Sequence, residues 1–167
     1  MVRTSWCHGE LLAERFPTGS FDLVWAENCV DHSYDPIRVI NAAIDVVKVG
    51  GWVVMVHAQN EAENEHYDGL HQWNFCERIG AFHIWNQKTD DNVSVLLQSF
   101  AEVDCRTENG GVIVAIRKLR ERPPENPMVR LRHEIVRAVD PSLEALTSRW
   151  PFLKQVLHHL PGRRKSD

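Results

Sequence analysis

The chain has 167 residues, enough for one domain with a sizeable core, and its net charge of −4 conceals an uneven split. Residues 1–116 hold 7 Lys and Arg against 17 Asp and Glu, whereas residues 117–167 hold 12 against 6. The acidic body argues against nucleic acid as the main ligand, since phosphate contacts need a basic surface. No run reaches the ~18 apolar residues of a membrane span, and four scattered cysteines without a CxxC pair fit a reduced, cytoplasmic protein.

In chain order, residues 2–8 read as the end of a strand, and Gly9 to Phe16 as a loop with one helical turn. Pro17-Thr18-Gly19-Ser20 marks a turn. Phe21 to Ala26 is nearly all apolar, the pattern of a strand covered on both faces. Asp35 stands as an N-cap with Pro36 at the first helical position. Ile37, Ile40, Ile44 and Val47 follow at helical spacing. Gly50 or Gly51 supplies a left-handed stop, and Trp52 to Val56 forms the next strand. Strand, helix, strand is the βαβ unit of a parallel sheet.

Ala58 to Cys76 turns polar and aromatic, and reads as an ordered lid or binding loop instead of a core element. Phe82 to Asn86 is a short strand, and Asp91 to Phe100 a helix with Val93, Leu96 and Leu97 inward. Glu102 to Thr107 and Val112 to Lys118 flank Asn109-Gly110, a strong hairpin signal. Residues 119–127 are a proline-rich linker, and 128–167 a basic helical tail interrupted by Pro141 and Pro151.

Ligands of open parallel sheets sit beyond the carboxyl ends of the strands. That rule gathers Glu27, Asn28, Asp31, His32, His57, Gln59, Asn60 and Glu61 into a polar rim. His32 and His57 are the candidate catalytic residues, because an imidazole titrates near neutral pH and can accept a proton. Asn60, Glu61, Tyr67, His71 and Trp73 are candidate substrate contacts. No metal site is expected, since the spacings of His66, His71, Cys76 and His83 match no known ligand pattern.

Three stretches together resemble the class I S-adenosylmethionine-dependent methyltransferases of the small-molecule kind called methyltransferase type 11. Cys7-His8-Gly9-Glu10-Leu11-Leu12 is similar to that family's C-D-G-E-x-L segment along the adenine. Ser20-Phe21-Asp22-Leu23-Val24, with Asn28 and His32 after it, is similar to its fourth strand and following loop. Val47-Lys48-Val49-Gly50-Gly51 is similar to its L-K-P-G-G turn, with Val49 where proline is common. The match spans roughly residues 2–118 and implies a partial Rossmann-like α/β sheet, mostly parallel, that ends in an antiparallel hairpin. It further implies cofactor contacts from His8, Gly9, Glu10, Leu11, Glu27 and Asn28. His8 stands where the family commonly has an aspartate.

The family's glycine-rich loop after its first strand has no counterpart, for no Gly-x-Gly occurs anywhere in the chain. Residues 1–118 thus resemble the C-terminal two-thirds of the domain. In that arrangement the strand at Phe21 lacks its usual neighbour and presents an apolar edge. Such edges template aggregation or pairing, so a second copy in a homodimer, a partner chain or the tail is expected to cover it. The reading is S-adenosylmethionine-dependent methyl transfer to an O or N atom of a small acceptor, for which the acidic and amide-rich rim suggests a sugar-like molecule, incomplete as a lone chain. The alternative is a non-catalytic, methyltransferase-like interaction subunit that does not bind the cofactor.

Overall fold

The computed structural model describes residues 4–124. A 3-10 turn (Gly9–Leu11) and the short helix α1 (Leu12–Arg15) precede strand β1 (Phe21–Glu27). Helix α2 (Pro36–Val46) starts where Asp35 Oδ1 accepts from the Arg38 N–H at 3.0 Å, with Pro36 supplying the preset first φ. Strand β2 (Val47–Ala58) follows directly, then helix α3 (Glu61–Asn64). Strands β3 (Asn74–Arg78), β4 (Ala81–Trp85) and β5 (Asp90–Asn92) come next, then helix α4 (Val93–Leu97). Strands β6 (Ala101–Glu108) and β7 (Gly111–Lys118) complete the described elements.

β1 runs parallel to β2, and β2 and β6 both run antiparallel to β7, giving a mixed sheet in the order β1-β2-β7-β6. The fold is therefore α/β, with the predicted parallel crossover and closing antiparallel hairpin, but the sheet is mixed where a mostly parallel one is expected: among the described residues only β1 and β2 pair in parallel, because the strand after β2 in the sheet is β7 of the hairpin. Asn109 and Gly110 join β6 to β7 with φ of 51° and 79°, the left-handed pair of a type I′ turn. The tail expected at 128–167 lies outside the described residues.

Five further expectations need correction. Residues 4–8 form no strand; among the described residues no neighbouring strand offers them a ladder, and Trp6 stands in solvent. Gly50 takes the expected left-handed φ of 85°, but within β2, where the register to β1 jumps between Phe21–Val47 and Leu23–Trp52. Gly51 belongs to the same bulge, and a Cβ there would lie 2.9 Å from the Asp22 carbonyl oxygen. The segment 58–76 ends as core, not as lid: Asn74, Phe75 and Cys76 are buried and open a second, three-stranded sheet, β3-β4-β5. Leu96 points outward, while Val93 and Leu97 face in as expected. Finally, β1 is covered on one face only; Leu23 and Trp25 remain 51% and 58% exposed.

The core lies against one face of the four-stranded sheet. Val53 and Met55 of β2, and Val112, Val114 and Ile116 of β7, point into it. Ile40 and Ile44 of α2 and Phe75, Phe82 and Ile84 of the second sheet join the same buried cluster. Each fully buried aliphatic or aromatic side chain contributes about 1.5–3 kcal/mol. Lys118 closes this layer. Its buried ammonium donates to the Val47 and Asp45 carbonyls at 3.0 and 3.4 Å, beside the C-terminus of α2, and pairs with Glu121 at 2.8 Å.

Candidate functional site

Two non-glycine residues in left-handed backbone mark the carboxyl ends of the parallel pair. Asn28 (φ 45°) follows β1, and Asn60 (φ 53°) follows β2. Asparagine tolerates this conformation better than most residues. The turn at Asn28 sends the chain into the loop carrying Cys29, Val30, Asp31 and His32, and that at Asn60 starts α3 at Glu61. Asn28 Nδ2 reaches Glu61 Oε1 at 3.4 Å, so the two strand ends are tied together.

A cavity of about 440 Å³ opens here between the 7–12 segment, β1 and α2. His8, Gly9 and Glu10 form one wall, and Cys29, His32 and Tyr34 another. Three of the six cofactor contacts inferred from the sequence thus line it, whereas Leu11, Glu27 and Asn28 do not. Glu10 is structural as well. Its Oε1 accepts the Tyr34 N–H at 3.0 Å and the Asp35 N–H at 3.4 Å, bracing the start of α2. Gly9 is needed by packing, because a Cβ there would lie 2.9 Å from a Val39 methyl. Burial pushes the Cys29 thiol up, so this cavity residue is no ready thiolate.

Beside the cavity lies a second, tighter grouping. Asp31 is 2% exposed, and its Oδ1 meets His57 Nδ1 at 3.0 Å. Its Oδ2 lies 3.2 Å from His32 Nε2, without hydrogen-bond alignment. Burial pushes the Asp31 carboxyl up, but the hydrogen bond from His57 and the charges of His57 and His32 together hold it below its usual range. His71 Nδ1 stands 3.7 Å from Glu61 Oε1, and the His32 and His71 rings meet edge to face at 4.7 Å. His57 itself faces the core against Phe75 and reaches the site through Asp31.

The inferred catalytic pair is therefore brought to one carboxylate, with His32 on the cavity side and His57 buried behind it. Of the inferred substrate contacts, Glu61 and His71 join this grouping. Asn60 instead accepts from Trp85 Nε1 at 3.2 Å, and the Tyr67 hydroxyl accepts from Asn74 Nδ2 at 2.9 Å. Trp73 donates to the Ser33 carbonyl at 3.1 Å. Asn60 and Trp73 hold the 58–76 segment against the body, while the Tyr67 contact ties the segment together internally. Asp31 is the residue the sequence underrates. Its neighbour His32 attracts attention, yet only the fold shows that the aspartate is the pivot.

The methyltransferase domain family model matches residues 3–55, which build the cavity and the parallel crossover. No curated protein matches the sequence. Among solved structures, a Methanosarcina mazei S-adenosylmethionine-dependent methyltransferase is 20% identical, with 64% of this chain and 63% of that one covered and a TM-score of 0.40. An O-methyltransferase family protein from Burkholderia thailandensis is 14% identical over 68% of this chain and 35% of its own, with a TM-score of 0.45. A chain of the complex between the Haloferax volcanii Trm112 methyltransferase activator and a methyltransferase is 13% identical over 63% of this chain and 57% of its own, with a TM-score of 0.35. The chain spans less than two thirds of each of these. Over residues 3–55 it carries the pattern of the methyltransferase domain, and its resemblance to the class I S-adenosylmethionine-dependent methyltransferases rests on that segment.

Proposed function

We propose that the chain takes part in methyl transfer from S-adenosylmethionine to an O or N atom of a small, hydroxylated acceptor, together with a second copy or partner chain against β1. The observation that carries this reading is the cavity at the carboxyl end of β1, built from the segment that matches the methyltransferase family. Its volume suits part of a nucleoside-sized ligand, and its wall at His8–Glu10 is the place the motif resemblance assigns to adenosine. The cofactor supplies an activated methyl on sulfur. The protein has to align the acceptor, exclude water and receive any proton the acceptor loses.

His32 lines both the cavity and the polar grouping, so it is the residue positioned to meet an acceptor. His57, sealed in the core, acts by holding Asp31. The polar rim of Asn28, Glu61 and His71 offers hydrogen bonds to a hydroxylated molecule. β1 contributes the need for a partner: among the described residues it pairs with β2 alone, and its apolar outer face is bare. Calorimetric titration with S-adenosylmethionine, with adenosine as control, tests the reading. Binding at or below about 100 μM, roughly −5.5 kcal/mol, supports it; no heat at millimolar cofactor overturns it in favour of a non-catalytic interaction subunit.

A further inference from the structure

Four side chains from three separate segments direct donor atoms at one point. Asp31 and His32 come from the loop after β1, Glu61 begins α3, and His71 lies in the segment leading to β3. One ligand atom from each lies within 4.8 Å of all the others. We infer that this grouping is a binding site for a single divalent transition-metal ion. Around an ion with bonds of 2.0–2.2 Å in tetrahedral geometry, donor atoms sit about 3.3–3.6 Å apart. From separations of up to 4.8 Å the donors would draw together by about 1 Å to close the shell.

The second observation is independent of the spacing. Among the described residues five buried side-chain atoms have no hydrogen-bond partner, and four of them, Asp31 Oδ2, His32 Nε2, Glu61 Oε2 and His71 Nδ1, belong to this grouping, the fifth being His57 Nε2 against the core. Buried polar atoms are nearly always paired, so four orphans converging on one point indicate a shared ligand. Protons alone do not meet the need. An imidazolium at His71 would still stand 3.7 Å from Glu61, and the 3.2 Å approach of His32 to Asp31 is misaligned.

The surroundings have the form that metal ligands require. His57 Nδ1 donates to Asp31 Oδ1 and so turns Oδ2 towards the cluster, while Asn28 Nδ2 steadies Glu61. Such outer partners fix the orientation of ligands and raise their affinity. Two imidazoles with two carboxylates favour Mn²⁺, Fe²⁺, Co²⁺ or Zn²⁺ over the all-oxygen preference of Mg²⁺ and Ca²⁺. The side chains of His32, His71 and Glu61 are 28%, 28% and 16% exposed, so the grouping lies near the surface although its donor atoms are covered.

The set differs from the histidines and cysteine weighed from sequence spacing. Among the described residues His66, Cys76 and His83 join no such group, and His71 alone is shared. Sequence spacing could not find the site, because its ligands run from Asp31 to His71 and meet through the β1–α2–β2 crossover.

The test uses the full chain stripped with chelator and titrated with Co²⁺ or Zn²⁺ alone, followed by the visible absorption of bound Co²⁺ and by equilibrium dialysis. One ion per chain is expected, with a rise in melting temperature on adding Zn²⁺. His71→Ala and Glu61→Gln should each weaken binding by about 10–100-fold or more and abolish the melting shift, while His66→Ala and Cys29→Ser leave both intact. Circular dichroism verifies the fold of each variant. No binding at millimolar ion, or binding unchanged in His71→Ala, overturns the assignment. The readout needs no cofactor, so its outcome is separate from that of the methyl-transfer reading.

Discussion

The two faces of the β1-β2-β7-β6 sheet come from the same strands and meet opposite fates. On one face Val53, Met55 and His57 are at most 2% exposed beneath α2 and the second sheet. On the other, Trp52 is 41% exposed, and Leu23 and Trp25 beside it more than half exposed. A strand made almost wholly of apolar residues therefore need not be sandwiched. The neighbours that the rest of the chain supplies decide which face is buried. The bare face also borders the edge of β1 that no other described strand pairs, so both exposures belong to one surface.

The contrast is broken most strongly from the covered side. Ile44→Ala empties a fully buried site and should cost about 2–5 kcal/mol, whereas Leu23→Ala should cost less than about 1 kcal/mol, both read by urea unfolding. Equal losses would mean that the face bearing Leu23 is buried in solution. Next comes assembly. Leu23→Lys combined with Trp25→Glu should convert an associated chain to monomer in sedimentation, with amides 21–26 exchanging faster. A wild-type chain that is already monomeric, with those amides unprotected, would contradict the covered edge.

Smaller effects concern the second sheet. Ile79 holds a φ of 53° in the β3–β4 turn and is fully exposed, an unfavourable place for a β-branched residue. Ile79→Asn should raise stability by about 1 kcal/mol. Asp90 accepts from His83 at 3.0 Å and pairs with Arg78, and these two contacts hold its carboxyl below the usual range. A carboxyl lowered on folding stabilises above its unfolded pKa, near 4, and loses that contribution as pH falls through the lower folded value. Because Asp90 is half exposed, Asp90→Asn should cost about 0.5 kcal/mol at neutral pH and nothing in strong acid. Melting curves against pH measure both ends.

The two hairpins show what was legible in the sequence. Asn109-Gly110 signals its turn through residues that prefer left-handed backbone, and β6 and β7 follow from it. Ile79-Gly80 adopts the same kind of turn with φ of 53° and 76°, but isoleucine gives no such signal, so β3 is hidden in the polar segment before it. The three-residue β5 is too short for any periodicity. The start of α2 is legible because capping is a local interaction between Asp35 and Arg38. The Asp31 grouping is not, because it depends on contacts between segments distant in the chain. His32 and Glu61 stand out as polar residues at strand ends, but their relation to His71 exists only in the fold.

Everything functional turns on whether the cavity at the end of β1 receives the cofactor. Amide chemical-shift mapping of the labelled chain with S-adenosylhomocysteine asks this without any acceptor or second chain. The largest shifts are expected at His8, Gly9, Glu10, Cys29, Val30 and Ser33, with little change along β6. Saturated shifts that spare the 8–10 segment, or no shifts at millimolar ligand, would refute cofactor binding at this cavity.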